Sequence, residues 1–472
     1  MVIVVKKIID YVKNVTAENP DYSFKKIQVD KQTIFILFNE VLISTVDTNM
    51  LILKSLVNLD RKKLKVLDKS LAHCNIKVIK KDEIFKYVNE GFFVILYNKI
   101  YAVEQRAYLD RGVATAEKEI SLKGPRDAFV ENYNTNLGLI RRRIKTTDLM
   151  VHNEEIGRYT KTRIGILYIK GLTDLDLVEQ VKLKLSTIDI DGIIDSTYLM
   201  ENLESKNNSF FPTIVSTERP DKVCMGLLEG KVCIVVDNSP FVLIMPNFFI
   251  DFFHTVDDYY QKPVNITFIR IIRILAFFVS IFTPALYIMI ATHNHDLVSL
   301  SFLLSLKAQR ESVPVPAILE MILMMISFEI LRESDIRMSS TSGSSVSILG
   351  GLILGDAAVS AGIVSPIMII IVAISSVSGL LFNSIEMVSA IRWWRFIMVI
   401  LAAFFGIFGI ILGFLILFIR LITIKSFGRH YLYPFVPFKR KMLKDTIFKE
   451  QNKGEKLRNP MLTHNMKRGH FR

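Results

Sequence analysis

The hydrophobic positions along the chain fall into two regimes. Residues 1–262 mix apolar and polar side chains on short periods, whereas 264–424 are dominated by Ile, Leu, Phe, Val, Ala and Gly. In the first regime, "TIFILF" (33–38) and "FFVILY" (92–97) have the length and composition of short buried strands. The second continues through Asn98-Lys99 into "IYAVEQR", which predicts a hairpin. Charged helical stretches lie between them. "RIGILYI" (163–169) predicts a strand and "DLDLVEQVKLKLSTI" after it a helix. "VCIVVDNSPFVLIMP" (232–246) predicts two strands around an Asp-Asn-Ser-Pro turn. In "GPRDAFVENYNTNLGLIRRRIK" (124–145), Phe129, Tyr133, Leu137, Ile140 and Ile144 recur at helical spacing and define one face. These patterns predict two α/β domains, residues 1–120 and 121–262, ahead of an α-helical polytopic membrane domain, 263–424, and a basic tail, 425–472.

In the apolar regime, residues 268–290 cover about 35 Å as a helix, enough for a hydrocarbon core of about 30 Å. Arg270 and Arg273 mark one end and are expected to snorkel toward headgroups. Further spans are expected at about 313–331, 364–382 and 396–419. Pro314 and Pro316 fit the first turn of the second, and Pro366 that of the third. "LVSLSFLLSL" (297–306) is too short to cross and reads as interfacial or re-entrant. The Gly/Ala/Ser-rich 345–360 reads as a broken or re-entrant helix. Gly351–Gly355 and Gly409–Gly413 have the GxxxG spacing that lets helix backbones approach, a helix-packing signal.

Charge refines the topology. The formal net charge is +13, and residues 438–472 alone hold eleven Lys/Arg against three Asp/Glu. Beside a membrane span, such a tail reads as a topology anchor or anionic-lipid contact, not as a nucleic-acid site. The start, "MVIVVKKIIDYVKNV", has lysines inside a short apolar run and no small-residue cleavage site. It predicts a cytoplasmic soluble half, with both termini on that side. Lys307, Arg310, Arg392 and Arg395 fall on the outer side of a four-span scheme, against the positive-inside rule. Cys74, Cys224 and Cys233 are an odd, sparse set and read as reduced or buried thiols.

Enzyme chemistry finds little support. "GLLEGK" (226–231) has the wrong spacing for a phosphate loop, and Val232 stands where Ser or Thr would be needed. His293 and His295 lack a third metal ligand, and Asp257–Asp258 read as a solvated face. No HExxH, GxSxG or GxGxxG occurs, and no cofactor is expected. Acidic residues within the apolar runs say more. A buried ionised group costs at least about 2.5–3.5 kcal/mol on insertion scales. Glu320 is the preferred ion-path residue, with Glu329 and Asp356 as further candidates. Glu329 can alternatively pair with Arg332, three residues on. Glu320 and Glu329, nine apart, lie on roughly opposite helix faces. Arg141, Arg142 and Arg143, at the end of a predicted helix, suit a contact between domains or subunits.

Several blocks together resemble the A subunit of GerA-type spore germinant receptors. They are 124–145, "ERPDKVCMGLLEGKVCIVVDNSPFVLIMP" (218–246), "RESVPVPAILEMILMMISFEILRE" (310–333), "VSILGGLILGDAAVSAGIVSP" (346–366) and "SFGRHYLYPFVPF" (426–438). The resemblance spans about 120–438. It implies a multi-pass protein of the spore inner membrane, a homo-oligomer that triggers germination as a ligand-gated ion channel. It also implies a transporter-like B subunit and a lipoprotein C subunit as partners. The alternatives are a secondary transporter and an accessory germination protein of the sporulation protein AF type. The chain departs from the family in reading "RESVPVP" (310–316) for REGVPFP, in Met325 for a glutamate, and in Asp356 and Ser360 for the Gln and Glu of the family's GQAAVEAG.

Overall fold

The computed structural model describes residues 2–17, 19–29, 32–43, 76–105, 119, 123–204, 209–337, 351, 355–439, 446–449 and 458–465. Cys74, the charged stretch 44–75, and 345–350 and 352–354 of the expected broken helix lie outside the described residues.

Two five-stranded antiparallel sheets carry the soluble half. The first is built from β1 (Tyr22–Val29), β2 (Gln32–Asn39), β3 (Ile76–Ile79), β4 (Phe92–Leu96) and β5 (Ile100–Glu104), in the order β1-β2-β4-β5-β3. Its helices include α1 (Val2–Thr16) and α2 (Ile84–Val88). The second is built from β6 (Leu149–Ile156), β7 (Thr162–Ile169), β8 (Val215–Thr217), β9 (Val232–Val236) and β10 (Val242–Met245), in the order β6-β7-β9-β10-β8. The two orders are the same when strands are counted from the start of each sheet. The likeness reaches the sequence. "KDEIFKYVNEGF" (81–92) and "PDKVCMGLLEGK" (220–231) occupy the same step of the two folds. Each helix is followed by a glycine with positive φ, Gly91 at 83° two residues past the C-cap Asn89, and Gly230 at 94° as the C-cap itself. That conformation closes a helix at little cost only for glycine.

The apolar runs at 92–96 and 232–236 are fully buried because each strand lies inside its sheet. Alternation then divides the second core. Cys233 and Val235 face α3 (Tyr133–Arg143) and α6 (Pro220–Glu229). Ile234 and Val236 face α4 (Leu175–Ser186) and α5 (Ser196–Leu203). The predicted helix at 124–145 is shorter than its periodicity implies. It starts at Tyr133, where the Asn132 side chain accepts a bond from Thr135 N–H. Phe129 precedes it yet is still buried.

Beyond Pro263 the chain is a helical bundle: α7 (Pro263–Thr292), α8 (Leu300–Arg310), α9 (Ala317–Arg337), α10 (Pro366–Gly379) and α11 (Ile385–Thr423). Two of these, α7 and α11, are long and apolar enough to cross a membrane. Pro314 and Pro316 precede α9 rather than opening it, so Glu320 falls in its first turn and not near mid-span. The 14-residue α10 is only about 21 Å long.

The expected single span 396–419 is instead a sharp fold-back. Gly406 has φ 56° and ψ −132°, which no helix tolerates. A Cβ on Gly409 would overlap the Leu401 carbonyl, and one on Gly413 the Met398 side chain. In a straight helix those pairs would be about 12 and 22 Å apart. The two arms of α11 therefore lie antiparallel with Gly406 at the tip, and Gly409 and Gly413 are the close-packing glycines. Among the described residues, a Cβ at Gly351 would reach Leu331 at 4.0 Å and one at Gly355 would reach Ile369 at 3.8 Å, both ordinary contacts.

The bundle has a near end, against the second sheet domain, and a far end. At the near end Phe249 and Phe253 pack on Phe277 of α7, with centroids 5.4 and 5.7 Å apart. Phe211 stacks on Trp394 of α11 at 6.4 Å. At the far end Ile407 N donates to Asn294 Oδ1 over 3.0 Å, tying the tip of α11 to the end of α7. The second arm returns to the near end. There β11 (Lys425–Ser426) and β12 (Arg429–His430) form a small hairpin, and Ser426 Oγ donates to Thr213 O over 3.0 Å.

Candidate functional site

Polar side chains inside this apolar bundle gather at three places. At the far end, Glu320 is 1% exposed. Its Oε1 accepts bonds from Ser365 N and Ser365 Oγ, both over 2.6 Å, at the residue that caps α10. Its Oε2 faces Arg310 Nε at 3.5 Å, and neither of those two atoms has a hydrogen-bond partner. One carboxylate thus holds together the end of α8 and the starts of α9 and α10.

In mid-bundle, a serine pair bridges α7 and α10. Ser280 Oγ donates to Ser375 O, and Ser375 Oγ to Ser280 O, each over 2.8 Å. Such bonds join helices where no water competes. Arg395, 6% exposed, reaches this pair from α11. Its Nε donates to Ser280 O over 3.0 Å and its Nη2 to Ser280 Oγ and Ser375 O over 2.6 and 3.2 Å. A Cβ on Gly379 would come within 3.1 Å of both Arg395 Nη2 and Ser280 Oγ, so the glycine makes room for the guanidinium.

Nearer the soluble side, Glu329 pairs with Arg332 at 2.9 Å and with Arg392 of α11 at 3.3 Å. The i,i+3 pair expected from sequence is therefore present, and a second arginine joins it from across the bundle. Arg392 and Arg395 sit in the half of the first α11 arm that approaches the second sheet domain, not at its outer end. Asp356 is exposed, on a short helical stretch over 355–360. The structure does not bring Glu320, Glu329 and Asp356 together in one chain.

A fourth polar group fastens the bundle to the soluble half. Asp258 is buried and binds Arg270 Nε at 3.2 Å and Arg273 Nη1 at 2.9 Å. Burial pushes its carboxyl up, but the Arg273 hydrogen bonds and charge outweigh this and hold it below the usual range. This corrects two expectations: Asp258 is not on a solvated face, and Arg270, fully buried, does not snorkel. Beside it His254 lies against Thr446 O at 2.6 Å. Burial, then the Arg270 charge, pushes its pKa down to about 4. Part of the basic tail docks here too. Lys449 N–H donates to Thr267 Oγ1 over 3.1 Å, and Asp174 N–H donates to Leu462 O over 3.1 Å.

Of the three arginines at 141–143, Arg141 reaches the first sheet domain. It is 1% exposed and clasps Asp21 through Nε and Nη2 at 2.8 and 3.0 Å. Arg143 turns back to Asp127 within its own domain at 2.7 and 2.6 Å, and Arg142 is exposed. In "GLLEGK", Lys231 is occupied by Asn247 and Asp251 at 2.5 and 2.6 Å, which leaves no phosphate-loop lysine. Among the described residues no cluster of His, Cys, Asp and Glu could hold a metal ion.

The family model for the Bacillus/Clostridium GerA spore germination protein matches residues 10–461. The chain belongs to the GerA family. It is 39% identical over 388 residues to spore germination protein KA of Bacillus subtilis (strain 168), covering 81% of this chain and 71% of that protein. It is 40% identical over 335 residues to the membrane protein YfkQ of the same organism, covering 71% of this chain and 65% of that one. Spore germination protein GerQA of Bacillus cereus is 36% identical over 339 residues, covering 72% of this chain and 68% of that one. A crystal structure of the N-terminal domain of the A subunit of the Bacillus megaterium spore germinant receptor GerK3 aligns with a TM-score of 0.39 and 27% identity, over 51% of this chain and 94% of that one. GerA proteins are germination proteins and not a known enzyme family.

For this GerA protein, sequence reasoning singled out the acidic groups and missed what holds them. Ser280, Ser365, Ser375 and Gly379 are small residues in apolar runs and look unremarkable there. The readable signal was "RWWR" (392–395), two arginines one turn apart inside a long apolar segment.

Proposed function

We propose that the chain is the A subunit of a spore germinant receptor, an oligomeric inner-membrane protein that couples nutrient sensing to ion release at the start of germination. It works with a transporter-like B subunit and a lipoprotein C subunit. In this reading α7, α9, α10 and both arms of α11 cross the bilayer. α9 heads toward the soluble side while α10 begins at the far end beside Glu320, so the chain also returns across between them. The crossings are then even in number, and the soluble domains and the tail share the cytoplasmic side. Arg332, Arg392 and Arg420 join them there, as the positive-inside rule prefers.

The observation that carries the functional reading is the pair of carboxylates on α9, Glu320 in its first turn and Glu329 just past its middle. Glu320 is tied to Arg310 and Ser365 at the far end, and Glu329, nearer the soluble side, to Arg332 and Arg392. Ionisable groups retained inside a membrane bundle mark pathways and switches. The paired state is the closed one: ions pass when these ties part, along a passage between copies that exposed Asp356 lines. The test is reconstitution into liposomes with the partner subunits and measurement of ion release on nutrient addition. Glu320→Gln should change the release while the complex still assembles. Wild-type release from Glu320→Gln, Glu329→Gln and Asp356→Asn alike would remove all three from the path.

A further inference from the structure

At the far end, a cleft of about 620 Å³ opens between the end of α7 and α8. Tyr287, His295, Leu303, Lys307, Arg310 and Glu311 are among its lining residues. Two features set it apart from an ordinary surface fold. Tyr287 is 95% buried, yet its hydroxyl has no hydrogen-bond partner. Arg310 faces Glu320 at 3.5 Å without a hydrogen bond from Nε, because that carboxylate is already turned to Ser365. A guanidinium carries five donors, and an unpaired buried donor is costly. Lys307 adds an exposed ammonium, set against the single carboxylate of Glu311. The other wall is apolar, and α8 exposes Leu300, Phe302 and Leu304 alongside it. A short helix with exposed apolar residues and terminal cations suits a bilayer surface.

We propose that this cleft binds an oxyanion joined to an apolar body, with the oxyanion on Arg310, Lys307 and the Tyr287 hydroxyl and the apolar body along the leucines of α8. Two sources share that chemistry, the phosphate of an anionic lipid headgroup and a soluble carboxylate. Occupancy draws Arg310 from Glu320 and so reaches the junction of α9 and α10. The site stands apart from ion conduction, since binding is read on the purified full chain.

The experiment places the full chain in nanodiscs of phosphatidylcholine alone or with phosphatidylglycerol. Retained lipid is counted by native mass spectrometry, and decanoate is titrated calorimetrically into both. Retained phosphatidylglycerol that excludes decanoate identifies the lipid source; decanoate binding that phosphatidylglycerol does not affect identifies the soluble one. In either case Arg310→Gln should weaken binding about tenfold or more, the loss of one charge-assisted hydrogen bond. Lys307→Gln, at an exposed side chain, tests the same ligand without burdening the fold and should weaken binding several-fold. Tyr287→Phe should weaken it less. Absence of binding in both arms, or binding unchanged in Arg310→Gln and Lys307→Gln, would overturn the site.

Discussion

The first sheet domain, with its strand order β1-β2-β4-β5-β3, is held to its neighbour by polar groups set beside a small apolar contact, Val41 and Leu42 buried in the second domain's core. Asp21 clasps Arg141, Asn19 Oδ1 accepts from Val151 N over 3.1 Å, and Asn89 Nδ2 donates to Lys145 O over 3.0 Å. In the second, the same order is fused to the helical bundle by aromatic packing and a buried charge cluster. Phe211, Phe249 and Phe253 meet Phe277 and Trp394, Asp258 holds two arginines, and part of the tail returns across the joint. One architecture thus serves twice with different attachments. Parting the first joint uncovers Val41 and Leu42 and unpairs its polar groups, whereas moving the second domain must also move α7. These contacts between the soluble and helical parts belong to the second domain.

The largest effect that would sharpen this contrast is at Asp258. Asp258→Ala strands two arginines and should cost about 3–5 kcal/mol, the scale for breaking a buried pair. Thermal unfolding of the full chain in detergent should show the second domain and the bundle no longer melting together. A variant that melts as one unit at the wild-type temperature would show that the cluster does not bind the two. Arg141→Gln comes next. It leaves one buried carboxylate, Asp21, unpaired, at about 3 kcal/mol. Hydrogen exchange should speed up at residues 19–22 and 145–151 and stay unchanged at 248–253. Faster exchange across both joints would erase the distinction.

Acidification should act on the second joint through His254. The His254 pKa lies near 4 in the fold against an ordinary value of 6.5. The unfolded chain therefore takes the proton first, and stability is full above about 6.5 and is lost as pH falls toward about 4. In His254→Gln this part of the pH dependence should disappear from melting curves taken across that window; a parallel decline in the variant would assign it to other groups. The smallest effect is expected at Gly355. With a Cβ in ordinary contact with Ile369 at 3.8 Å, Gly355→Ala should shift stability by less than about 0.5 kcal/mol. A larger loss in the intact complex would show that another copy packs there.

The fold was legible where one short-range signal decided it. The β4–β5 hairpin, β7, α4 and the β9–β10 hairpin follow from runs of buried residues and turn chemistry. The repeat of "EG" at 90–91 and 229–230 was present in the sequence but too short to stand out before the two strand orders were compared. The fold-back at Gly406 was not legible. Hydropathy averages over a window and sees one apolar run, while the bend depends on a single φ and on Asn294, more than a hundred residues away. The same reason hid the ties of Glu320. Its composition signal was plain, but its partners Ser365 and Arg310 come from other helices. Asp258 was misjudged because two adjacent aspartates look solvated until Arg270 and Arg273 are brought round by the start of α7.

The central claim is that the soluble domains lie on one side of the membrane and the His293–Leu297 turn and the Gly406 tip on the other. Thiol labelling tests it with little background, because Cys224 and Cys233 are buried, with burial pushing both thiols up, Cys224 to about 12. In a Cys74→Ser chain, Asp296→Cys at the far turn and Tyr159→Cys on the second sheet domain are compared in intact membranes with an impermeant maleimide. The account predicts that Asp296→Cys labels from outside, and that Tyr159→Cys labels only after the membrane is opened. Labelling of both from the same side would contradict it.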